Sequence, residues 1–151
     1  MSAFPEEDDA APSTRDLDVA GDEKVIVIDT SALMAIINRE ADAGKILHVL
    51  SIADHVLMSA GTLVECHVVS VHRRVEAAMR DLLDLIHADV VPVDAAMAET
   101  AGRAYAEWGK SKHPARLNFG DCFAYALAIS RGLPLLYVGG DFAQTDVRSA
   151  L

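Results

Sequence analysis

From Lys24 onward, short apolar runs alternate with longer stretches in which apolar residues recur every three or four positions. Val25-Ile26-Val27-Ile28, closed by Asp29, predicts a strand over 25–29. Ala32, Leu33, Ile36 and Ile37 then fall at helical spacing over 30–39, and Ile46, Leu47, Leu50 and Ala53 do so over 43–53. A strand at 55–59 precedes helices at 62–73 and 75–87, the second carrying Met79, Leu82, Leu83 and Ile86 on one side. Residues 89–93 read as a strand that Pro92 confines to a sheet edge or a strand end. A helix over 95–108, a polar loop over 110–116 and a helix over 118–130, stopped by Gly132 and Pro134, lead to a last strand over 135–138. Strands alternating with helices need crossover connections. The predicted class is therefore α/β, a mainly parallel sheet with helices on both faces, in three layers.

Composition narrows this picture without changing it. A chain of 151 residues is long enough for one domain with a real core and short for two. An apolar content of 52% and a mean hydropathy of +0.22 suit a well-buried domain. No apolar run approaches the ~20 residues of a membrane helix, so no membrane is expected as a partner. The first residues lack the basic start and apolar core of a signal peptide. Cys66 and Cys122 are too few for a disulfide scaffold and fit a reducing cytosol, so a cytoplasmic location is expected.

The formal charge of −10 is unevenly spread. Eight carboxylates against the single cation Arg15 precede Lys24, so residues 1–23 hold −7 of it and the body only −3. The segment 1–23, with Pro5, Pro12 and Gly21 and few large apolar side chains, reads as a disordered acidic tail, and equally as an upstream extension from a misplaced start. Residues 24–151 form the folded domain. Overall acidity therefore says little against a nucleic-acid partner.

Four acidic residues mark the places where apolar runs end or turn: Asp29, Glu65, Asp121 and Asp141. Strand ends of an open α/β sheet point into one crevice. Carboxylates gathered there need a strong counter-charge, and a hard divalent cation with oxygen ligands is the natural one. Each also has a plainer reading. Asp29-Thr30-Ser31 suits a helix N-cap, and Asn118 with Asp121 resembles a capping box. Asp141 after Gly139-Gly140 suits the cap of a short final helix, and Glu65 suits the outer side of an amphipathic helix. Lys110-Ser111-Lys112-His113-Pro114-Ala115-Arg116 is the most basic segment and runs into Asp121. It fits either a solvated loop or a grip on a phosphate backbone through Lys110, Lys112, His113 and Arg116. His67 and His72 lack metal-ligand spacing, and both cysteines read as small packing groups. Trp108 and Tyr105 read as packing residues first and base-stacking residues second.

The residue types and their order are those of a known family. Val27-Ile28-Asp29-Thr30-Ser31-Ala32-Leu33, Ser59-Ala60-Gly61-Thr62-Leu63-Val64-Glu65 and Leu117-Asn118-Phe119-Gly120-Asp121-Cys122-Phe123-Ala124-Tyr125-Ala126 together resemble PIN-domain proteins. The closing stretch from Pro134 to Val147, with Val138-Gly139-Gly140-Asp141-Phe142, resembles the VapC toxins of bacterial toxin–antitoxin pairs. The likeness spans about residues 25–148 and leaves the tail without a counterpart.

This resemblance implies a sequence-selective endoribonuclease dependent on Mg²⁺, or Mn²⁺, that a cognate antitoxin holds inactive. It implies Asp29 and Asp121 as core metal ligands and Glu65 at a second metal or an ordered water. Asp141 completes the quartet, at a position where the family varies between Asp and Asn, and Asp146 can stand in through a water. Metal-activated water then attacks in line with a leaving 3′-oxygen, giving a 5′-phosphate and a 3′-hydroxyl. Ser31 joins the basic loop as a substrate contact. RNA is the implied substrate, and a homodimer is implied, with apolar helices such as residues 75–86 facing the second copy or the antitoxin.

Three other readings compete. An aspartyl phosphatase using Asp29 wants a second Asp two positions on, where this chain has Ser31. A phosphoacceptor receiver domain wants a late lysine, and none follows Lys112. A binding-only module of the same fold could keep the quartet without cleaving.

Overall fold

The computed structural model describes residues 21–151. The tail expected over residues 1–23 therefore lies almost wholly outside the described residues. The order of elements is β1 (Val25–Ile28), α1 (Thr30–Ile37), α2 (Ala43–Ile52), β2 (His55–Ser59), α3 (Ala60–Arg73), α4 (Glu76–Ile86), β3 (Asp89–Val91), α5 (Ala95–Trp108), α6 (Phe119–Arg131) and β4 (Leu135–Leu136). A single 3₁₀ turn, Phe142–Gln144, follows.

The four strands pair in the order β3-β2-β1-β4, every pair parallel. Alternation along the strands divides the core between two faces. Val25, Val27, Leu57 and Leu135 meet Ala101, Ala104, Ala124 and Leu127 of α5 and α6. Ile26, Ile28, Val56, Met58 and Leu136 meet Leu33, Ile46, Cys66, Met79 and Leu82 of the first four helices. The fold is the three-layer α/β/α sandwich that the pattern predicts. The chain leaves β1 toward β2 but later returns to β1's other side as β4, so the sheet reverses its order between β1 and β4. Crevices outside the carboxyl ends of strands at such a reversal are where open α/β sheets bind ligands.

Three strands stop earlier than their sequence suggests. β1 ends at Ile28, because Asp29 already caps α1. β3 ends at Val91, ahead of Pro92, and lies at the sheet edge, as the missing proline N–H requires. β4 spans only Leu135–Leu136, because the N–H of Val138 goes to Ser31 Oγ (3.1 Å) and no longer to a neighbouring strand. The apolar stripe of α4 is spent inside: Met79 and Leu82 are buried and Leu83 and Ile86 pack beside them, leaving Leu85 outward. An exposed apolar stripe lies instead on α3, through Val64, Val68 and Val71. Among the described residues no helix is long and apolar enough to cross a membrane.

Helices α3 and α6 come together on small residues. A Cβ at Gly61 of α3 would overlap Cγ of the Phe123 ring of α6, closer than real side chains approach. Alanine normally stabilises a helix relative to glycine by about 0.5–1 kcal/mol. At residue 61 overpacking reverses the sign, so Gly61→Ala is expected to destabilise the fold by about 1–3 kcal/mol in urea unfolding. A Gly61→Ala protein more stable than wild type would contradict this packing.

Candidate active site

Asp29 leaves β1 at the reversal point and caps α1. Its Oδ2 accepts the Ser31 N–H (3.0 Å), while Oδ1 is buried without any hydrogen-bond partner. Only 2% of the residue is exposed. Across the crevice Asn118 and Asp121 form the predicted capping box on α6: Asp121 N–H donates to Asn118 Oδ1 and Asn118 N–H donates to Asp121 Oδ2, each at 2.9 Å. The cap and the site readings are thus compatible. Each aspartate gives one oxygen to a helix end, and at Asp29 the other is buried without a partner.

Glu65 enters from the middle of α3, half-buried, with its carboxyl group against the backbone of Gly120. Asp141 opens the 3₁₀ turn beyond β4, and its side chain makes no capping hydrogen bond. These carboxylates sense one another. Burial, then the charges of Asp29, Glu65 and Asp141, push Asp121 up to about 7 against the pull of the Asn118 N–H. Burial pushes Asp29 up to about 6, helped by the charge of Glu65 and opposed by hydrogen bonds from Ser31. Among the described residues the ion pairs are Lys45–Asp42, His55–Asp89 and Arg103–Glu99, and none reaches the quartet. Nor do any three His, Cys, Asp or Glu side chains among them already close on one point as ligands.

The other predicted site residues take distinct places. Ser31 is occupied as the acceptor for Val138 and lines a hollow of about 320 Å³ with Asn38, Glu40, Arg73 and Gly139. Asp146 is engaged by α6: Tyr125 Oη donates to its Oδ1 (2.5 Å) and accepts from Trp108 Nε1 (3.0 Å). Lys110, Lys112, His113 and Arg116 line one open recess of about 460 Å³. The loop that carries them is pinched shut at its neck, where Lys110 N–H donates to Leu117 O (2.8 Å) and Leu117 N–H to Trp108 O (3.0 Å). His113 is fixed in it by the Ala115 N–H on Nδ1 and by an edge contact to the Trp108 ring. Cys66 and Cys122 are buried, and burial raises both thiols to about 11, which leaves them as packing groups.

Sequence reasoning missed three features here. Gly61 and Gly120 carry a signal only when set against each other across the α3–α6 contact. The Trp108–Tyr125–Asp146 chain joins residues distant in sequence. An apolar hollow of about 350 Å³ beside Glu65, lined by Val64, Val68, Phe119 and Phe123, was foreshadowed by the spacing of Val64 and Val68.

A buried aspartate at the reversal point of a parallel sheet, with three further acids whose charges act on one another around it, points to a class. Residues 26–148 match the sequence model of the PIN domain family. The chain is 42% identical over 130 residues to the VapC ribonuclease Mb0625 of Mycobacterium bovis, covering 83% of this chain and 98% of that protein. It is 43% identical over 126 residues to ribonuclease VapC30 of Mycobacterium tuberculosis, covering 81% and 95%. The solved structure of Mycobacterium tuberculosis VapC20, a Sarcin-Ricin loop cleaving toxin, superposes with a TM-score of 0.65 at 22% identity, covering 81% of this chain and 95% of that one. The chain belongs to the PIN-domain family, within its branch of VapC ribonucleases.

The sign of the electrostatics can be tested without any cation. Asp29 and Asp121 are raised from an ordinary 3.8, so the fold favours their protonated forms. The resulting stability is fully present below the unfolded value and is lost as pH rises through about 6 and 7. In EDTA, the melting temperature of wild type is expected to fall from pH 4 to pH 8 more steeply than that of Asp121→Asn, which cannot ionise there. Parallel profiles would contradict the assignment.

Proposed function

We propose that this chain is a divalent-metal-dependent, sequence-selective endoribonuclease and the toxin of a toxin–antitoxin pair. One observation carries the reading: Asp29 is buried with one oxygen unpartnered and feels the charge of Glu65, and half-buried Asp121 feels those of Asp29, Glu65 and Asp141, while no ion pair among the described residues offsets any of them. Hard oxygen donors of this kind suit Mg²⁺, and Mn²⁺ equally by ligand type. Asp29 Oδ1 and the free oxygen of Asp121 would hold the ion, with Glu65 and Asp141 beside them. When bound, such an ion polarises a phosphodiester and makes a nearby water more acidic.

The chain's own residues supply the rest. Glu65, against the first turn of α6, would orient a water and take its proton. Ser31 Oγ, fixed by Val138, keeps its own hydrogen to donate to a phosphate oxygen. The closed loop presents Lys110, Lys112, His113 and Arg116 toward an RNA backbone, which positions the substrate without reading bases. Solved relatives support a protein partner, among them a toxin–antitoxin complex from Klebsiella pneumoniae with a TM-score of 0.62 and the VapBC-5 system of Mycobacterium tuberculosis with 0.58. We assign the exposed strip of Val64, Val68, Val71 and Phe119 to protein contact, either a second copy in a homodimer or the antitoxin.

Antitoxin-free protein is expected to cut a mixed pool of structured RNAs in Mg²⁺ and not in EDTA, with Asp121→Asn matching the EDTA control. Wild type and mutant behaving alike in Mg²⁺ and Mn²⁺ on every RNA would overturn the nuclease and favour a binding-only module.

A further inference from the structure

Gly120 occupies the first turn of α6, between Phe119 and Asp121, and its backbone lies outside the left-handed region that would call for glycine. The space around it supplies the reason instead. The three atoms nearest to where a Cβ would stand are Oε2, Cδ and Oε1 of Glu65, and Oε2 would overlap it outright. Two other helical glycines are not crowded: around Gly44 and Gly102 nothing lies within 4 Å of that point. The fit is reciprocal. Gly61, four residues before Glu65 on α3, receives the ring of Phe123, three residues after Gly120 on α6. The two contacts lock one helix against the other with Glu65 between them.

We propose that Gly120 is a positioning residue: its missing side chain is the seat that holds the Glu65 carboxylate against α6, beside Asp121. The proposal rests on reading the quartet as a metal site. A helix tolerates alanine better than glycine, and the atoms an alanine would strike are the far end of a flexible side chain. Alanine at residue 120 therefore spares the fold and displaces the carboxylate from its place against α6. The loss falls on metal affinity before stability. Outer-shell changes that misplace a ligand typically cost about 10–100-fold in affinity.

The test is a double-mutant cycle on the full chain: wild type, Gly120→Ala, Glu65→Ala and the double variant. Mn²⁺ affinity is read by electron paramagnetic resonance, and metal-free melting by circular dichroism. Gly120→Ala is expected to weaken Mn²⁺ binding about 10–100-fold when Glu65 is present and to leave it unchanged in the Glu65→Ala background. Without metal, it should raise the melting temperature more in that background than beside Glu65. Wild-type affinity in Gly120→Ala, or an equal loss in both backgrounds, would overturn the proposal. If wild type binds no Mn²⁺, the metal reading fails, and the melting cycle still decides the seat: equal shifts in both backgrounds overturn it. If Gly120→Ala does not fold, a folded double variant supports the seat and an unfolded one overturns it.

Discussion

The structure depends on a charge problem at the end of β1. Asp29 is almost wholly buried, one of its oxygens has no partner, and among the described residues no basic side chain approaches. An ionised carboxylate in that position is costly unless something positive answers it. The chain answers in part by lending the other oxygen to the first turn of α1, where the helix dipole favours negative charge. Asp121 is treated the same way at α6. What remains is a pair of half-satisfied aspartates, joined by Glu65 and Asp141, for which a divalent cation is the fitting complement.

The scaffold serves that arrangement by simple means. A fully parallel sheet buries β1 on both faces, so the strand can hold Asp29 rigidly at its end. The reversal between β1 and β4 opens the crevice, and Ser31 pins the chain after β4 by taking the Val138 N–H. Helix α3 delivers Glu65 because glycines at the α3–α6 crossing let the helices approach closely. The basic loop proposed to hold RNA is held shut by its own backbone, and Trp108, Tyr125 and Asp146 tie its base to α6 and the closing segment.

Much of this was legible in the residues. Strand β2 and helix α5 fall where the hydrophobic pattern put them, and the three layers follow from the alternation of strand and helix. The acids stood out because each interrupts an apolar run, although cap and ligand could not be separated: one oxygen of a carboxylate can cap a helix while the other stays free. β4 read too long, since its end is set by a side chain more than a hundred residues earlier. The stripe on α4 looked like a partner surface, yet an amphipathic helix looks the same whether its apolar face meets the core or another chain. The crowding at Gly120 was invisible, because a glycine acquires meaning only from the atom that lies where its side chain would be.

The central claim is that the spare oxygens of Asp29 and Asp121 define one cation position. Anomalous diffraction from crystals soaked in Mn²⁺ tests it most directly. The account predicts a single strong peak in contact with Asp29 Oδ1 and the free Asp121 oxygen, lost in Asp121→Asn crystals. A peak away from these two residues, or none at saturating Mn²⁺, would contradict it.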